Sequence, residues 1–137
     1  MPKQSICMIR LSLVYLFIAV LIGGLILSHK AIDIHPIIWG LLPMHFELAI
    51  WGWLVQFVMG TAYWMFPKKL EGERRGPVLP AWLMVTLFNT GLILLSGSTL
   101  ITESTLPAVS GRVLIGLSII IFIWLIWNRI VTYRNRR

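Results

Sequence analysis

Residues 43–67 read PMHFELAIWGWLVQFVMGTAYWMFP, an apolar run between two prolines that carries one carboxylate, one histidine and one central glutamine. At 1.5 Å rise per residue, ~20 such residues cross a hydrocarbon core as a helix, so the stretch predicts a transmembrane span. Three further apolar blocks, 11–28, 78–101 and about 106–127, are close to or above that length. None shows a helical or alternating period, the pattern of segments surrounded by lipid or other helices on all sides. The fold class expected is therefore an all-α membrane protein with four transmembrane helices, about 9–28, 42–66, 79–101 and 107–130, in a single domain covering 1–137.

Composition agrees. Of 137 residues 58% are hydrophobic and 12% charged, more apolar than a soluble domain of this size can bury. The block at 11–28 follows Lys3 and Arg10 in the manner of a signal peptide, but it is longer than such an apolar region and no small-x-small cleavage site follows, so it reads as a retained helix. Pro36 and Pro43 bracket the entry to the second span, Pro67 follows it, Pro77 and Pro80 open the third and Pro107 opens the fourth. Trp39, Trp64, Trp82, Trp127 and Tyr133 fall where interfacial aromatic belts are expected.

Charge sets the expected orientation. Lys3, Arg10, Lys68, Lys69, Arg74, Arg75, Arg129, Arg134, Arg136 and Arg137, ten of the twelve basic residues, lie on one side, and only Lys30 and Arg112 lie on the other. The positive-inside rule makes the richer side cytoplasmic, with both termini inside a bacterial-type inner membrane. The net charge of +7 is accounted for by topology and anionic lipid, and no nucleic acid is needed to explain it. The lone Cys7 has no partner for an internal disulfide and reads as a reduced bystander.

Ionisable groups inside a span are candidates for function. On the second span His45, Ala49, Gly52, Gln56, Gly60 and Tyr63 project from one helical face at ~100° per residue. That face is polar and small, and Gly52 and Gly60 admit either another backbone or a flat planar ligand. A neutral imidazole there suits haem iron or copper, or simply bonds a neighbouring helix. Glu47 points about 200° away, as an interfacial acid, a proton-relay group or the partner of Arg112. Arg112, at the same outer level as His45, suits haem propionates or lipid headgroups. His29 and His35 are expected in the first outer loop or at its edges, as a second ligand or as exposed loop bystanders.

The stretch MHFELAIWGWLVQFVMGTAYWMFP, about 24 residues, resembles the second helix of subunit I of the haem–copper oxidase superfamily, particularly its nitric oxide reductase branch. The resemblance implies that His45 ligates a low-spin b-type haem, with Arg112 as propionate partner and Gly52, Gly60 and Gln56 on the haem-facing surface. Subunit I has about twelve helices in three similar arcs. This chain has one arc's worth, with no histidine in a later span, so no complete oxidase or reductase centre forms within one copy. The resemblance thus implies a small homo-oligomer, a homotrimer or else a dimer, working in electron transfer with a respiratory partner or in gas or redox binding. Alternatives from other classes are a cofactor-free small transporter, an accessory subunit of a respiratory complex, and a trigonal copper site made by three His45 side chains on a symmetry axis.

Overall fold

A computed structural model describes residues 1–66, 76–100 and 105–134, apart from the side chains of 128 and 131–134. Pro67, the basic residues at 68, 69, 74 and 75, Ile101, Arg136, Arg137 and the side chains of Tyr133 and Arg134 lie outside the described residues. All regular structure among the described residues is helical, and four helices are long and apolar enough to cross a membrane. They are α1 (Lys3–Ile32), α2 (Pro36–Met65), α3 (Val78–Ser98) and α4 (Leu106–Arg134).

The first helix is longer than its apolar run, because a helix ends where its hydrogen bonds end and hydropathy does not decide that. Its last turn contains His29 and Lys30, and Asp33 closes it in the left-handed region at φ 47°, its N–H bonding the His29 carbonyl. α2 begins six residues before the predicted start, as a 3-10 turn from Pro36 to Leu41 whose first free N–H, on Ile37, is capped by Nδ1 of His35. After one α-helical stretch it winds as a π-helix from Leu48 to Val55, then resumes as an α-helix. The i→i+5 bonding winds more slowly than i→i+4, and the buried positions Leu48, Gly52, Gln56 and Gly60 accordingly recur every four residues. α3 ends at Ser98, where hydroxyls of Ser96, Ser98 and Thr99 donate to the carbonyls of Leu92, Leu95 and Ser96.

Neighbouring helices run antiparallel. Gly60 faces Met8, Gly52 faces Tyr15 and His45 faces Gly23, which registers α2 against α1 along its whole length. α3 and α4 cross most closely where Gly91 and Gly111 meet backbone to backbone, and the Ser118 hydroxyl donates to the Met84 carbonyl at 2.7 Å across the same interface. α2 and α3 form the middle of the bundle with α1 and α4 flanking them; among the described residues no Cα atom of α1 comes within 8 Å of one of α4. Both described chain ends therefore lie at one end of the bundle, called here the terminal end, and the 33–35 turn lies at the far end. The outward faces carry Leu13, Phe17, Val20, Val113, Leu117 and Ile120, all exposed in the isolated chain. Trp39, Trp64, Trp82 and Trp127 are exposed near the helix ends.

At the terminal end Arg129 turns inward. The residue is 1% exposed, and its guanidinium donates to the carbonyls of Tyr63 at 3.0 Å and Phe66 at 2.5 Å and lies 5.2 Å from the Tyr63 ring centroid. It thus satisfies carbonyls at the end of α2 that no helical N–H can reach, and ties α4 to α2. Counting it as a tail cation, as its place after Trp127 suggests, misses this.

Candidate functional site

His45 lies at the far end of α2, two residues past Pro43, against α1. Its Nδ1 is 2.8 Å from the Ala19 carbonyl oxygen. A carbonyl only accepts, so Nδ1 carries a proton, and in the neutral form of the ring the lone pair is then on Nε2. Gly23 makes this possible, because a Cβ there would lie 2.7 Å from Cε1 of His45. The ring opens on a groove of about 380 Å³ between α1 and α2, with Ile26, Leu27, Trp39 and Phe46 as apolar walls and the Lys30 stem at its far-end rim. An imidazole whose other nitrogen is fixed by a backbone carbonyl is the arrangement in which metal-ligating histidines are held.

The other members of the predicted face lie elsewhere than on that groove. Gly52 and Gly60 are filled from α1: an added Cβ would sit 2.9 Å from Cβ of Tyr15 at the first and 3.0 Å from Cβ of Met8 at the second. Of the two approaches the glycines allowed, the structure uses the one by another helix, and no slot for a planar ligand is left on them. Gln56 and Tyr63, 0% and 2% exposed, are buried within the single chain, which removes the need for a second copy to cover them.

Gln56 belongs instead to a polar knot midway along the bundle. Oδ1 of Asn89 accepts from the Tyr15 hydroxyl at 3.0 Å and from Nε2 of Gln56 at 3.2 Å, joining α1, α2 and α3. Asn89 in turn donates to the Val85 carbonyl at 2.8 Å. A search of the sequence for histidines and charged groups passes over Tyr15 and Asn89; an amide in the middle of the run VTLFNTGLIL is the signal that marks Asn89.

No described pocket brings Arg112 to the His45 groove. It lies on the opposite side of α2, where its Nη2 is 3.8 Å from Oε1 of Glu47, and it lines a separate cleft. This is one of the three roles open to Glu47 from its position, and the opposed directions of His45 and Glu47 follow the ~200° between them. Comparison with protein-family models, with curated proteins and with solved structures finds no match.

His29 is not an exposed loop residue. It is 3% exposed in the last turn of α1, with Nδ1 accepting from the His35 N–H at 3.2 Å, Nε2 3.7 Å from Oδ1 of Asp33, and its ring edge-on to Trp39 at 5.8 Å. Nδ1 thus helps to shape the 33–35 turn, and Nε2 stands near Asp33 but beyond hydrogen-bond distance. His35, which is exposed, uses Nδ1 as the cap of the 3-10 turn. Among the described residues no three His, Cys, Asp or Glu side chains gather as a metal cluster.

Proposed function

We propose that this chain is a multi-pass protein of a bacterial-type inner membrane, with both termini cytoplasmic, that binds a b-type haem through Nε2 of His45 and serves electron transfer or the binding of a small gas. The observation that carries the reading is the bond between Nδ1 of His45 and the Ala19 carbonyl, which fixes the tautomer a ligand needs. His45, with the apolar walls of the groove, would hold the group, and the Gly52 and Gly60 surface, filled from α1, would not. When bound, the haem supplies one-electron chemistry or an iron that takes a gas molecule.

The chain's own residues have defined parts in this reading. His45 donates its lone pair and is held from rotating by Ala19. Ile26, Leu27, Trp39 and Phe46 keep water from the ring, and the Lys30 ammonium at the rim takes the propionate-pairing part that the sequence assigned to Arg112. A second ligand would have to come from another copy of the chain, as homotrimer or dimer; without one the haem would be free to take a gas. Separation of α1 from α4 supports the open four-helix arc that the resemblance implies.

His45→Ala is expected to abolish haem retention with the helical content kept, because it removes the only bond to iron that the groove offers. Gly23→Leu should reduce retention as strongly, by pushing the ring off the Ala19 carbonyl, whereas His35→Ala should leave it unchanged. Haem content per chain, measured by pyridine haemochrome on each purified variant, checks all three. Retention equal to wild type in His45→Ala would remove the assignment, and copper analysis of the same sample would test the trigonal alternative.

Orientation is supported by the ten-to-two split of basic residues. With Cys7 replaced by Ser, a cysteine at Gly72 should resist an impermeant thiol reagent in intact cells while one at Ile34 labels readily. Equal labelling at the two positions would contradict the orientation.

A further inference from the structure

The cleft on the Arg112 side of α2 has a chemistry of its own. Its α4 wall is Arg112, Ile115, Gly116 and Ile119, spaced i, i+3, i+4 and i+7 on one stripe, and Trp51 of α2 and Leu95 of α3 complete it. It encloses about 270 Å³, and apart from the guanidinium its lining is apolar. Gly116 keeps it open, since a Cβ there would meet nothing within 4 Å.

The mouth of this cleft holds two opposite charges side by side. Glu47 stands one turn before Trp51 on α2, and its carboxylate and the Arg112 guanidinium are 3.8 Å apart, beyond hydrogen-bond distance. The Arg112 side chain is 70% exposed and the Glu47 side chain 20%. Among the described residues neither group forms another ion pair, so guanidinium donors and carboxylate lone pairs remain to be used. A purely anionic headgroup would be drawn by Arg112 and repelled by Glu47. A zwitterion with an N–H-bearing cation meets both.

We propose that the cleft holds one phospholipid with a primary-amine zwitterionic head, phosphatidylethanolamine in kind, its phosphate on Arg112, its ammonium on Glu47 and an acyl chain along Trp51, Leu95, Ile115 and Ile119. The slot leads from the charged mouth toward the middle of the bundle, the direction an acyl chain takes from the far-side headgroup layer. The proposal rests on the membrane-spanning part of the proposed function and is independent of haem.

Native mass spectrometry of the purified full chain in mild detergent, titrated with phosphatidylethanolamine, phosphatidylglycerol or phosphatidylcholine of matched acyl chains, tests it. Wild-type protein is expected to retain the ethanolamine lipid over the other two, because a glycerol head offers no cation and a trimethylammonium no N–H. Arg112→Gln should lower retention of all three about tenfold. Glu47→Gln should abolish the preference over phosphatidylglycerol, and Gly116→Leu, which fills open space in the fold, should prevent retention of any of them. Equal retention of the three lipids by wild type, an unchanged preference in Glu47→Gln, or adducts surviving in Gly116→Leu would overturn the proposal. Release of the protein from membranes by alkaline carbonate would overturn the membrane reading instead.

Discussion

Gly111→Leu is expected to destroy the pairing of α3 with α4. A Cβ at position 111 would lie 2.6 Å from the Gly91 carbonyl oxygen and 2.8 Å from the Leu95 nitrogen, and both are backbone atoms of α3 that no rotamer change can move. The helices must separate, and the tight contact of the whole crossing goes with them, including the Ser118 bond to the Met84 carbonyl. Overpacking against yielding side chains costs about 1–3 kcal/mol, and against rigid backbone the effect lies at the top of that range or above it. By comparison, an interhelical hydrogen bond in a membrane protein contributes about 0.6 kcal/mol, so Asn89→Leu should do less harm than Gly111→Leu. Gly24→Leu, on α1, meets open space and lines neither groove nor cleft, and is the matched control. Yield and monodispersity in mild detergent should fall for position 111 alone; equal behaviour of the two variants would show that the crossing is not close.

The second large effect is expected at Arg129. Replacing it with Leu leaves the carbonyls of Tyr63 and Phe66 without the guanidinium donors that reach them, at the buried junction of α2 and α4. Hydrogen bonds from a charged donor contribute about 1.5–3 kcal/mol each, and two are lost together. Arg129→Lys keeps the charge but not the planar fork, so it should fall between wild type and Leu. Thermal unfolding in detergent, followed by circular dichroism, orders the three proteins. A Leu variant that melts with wild type would mean that water or lipid replaces the guanidinium without penalty.

Arg129 also marks the limit of what the sequence discloses. Four apolar blocks cut by Pro36, Pro77 and Pro107 were enough to place four helices, because span length and helix breaking are local properties. The small polar face of α2 was legible for the same reason, and Gly52, Gln56, Gly60 and Tyr63 are indeed its buried positions. What fills that face was not legible: α1 does, through Met8 and Tyr15, and that pairing belongs to the fold and not to the stretch itself. In the sequence Arg129 is only one of ten basic residues on one side, because its use depends on where the end of α2 lies, 63 to 66 positions earlier in the chain. The π-helical segment at 48–55 has no residue signature, and the burial of His29 depends on the path of the following turn. At the candidate site, His45 could be singled out from its place in an apolar span, while the carbonyl that fixes its tautomer and the distance of Arg112 from its groove required the packing of α1 and α4.

In the proposed function every residue given a part at the groove would act through one bond, from Nε2 of His45 to haem iron. The most direct test is the absorption spectrum of wild-type protein purified from haem-replete cells, recorded oxidised and after dithionite. A Soret band that shifts on reduction, and is absent from His45→Ala purified in parallel, is the predicted result. A spectrum without Soret absorption, or a band that persists in His45→Ala, would contradict it.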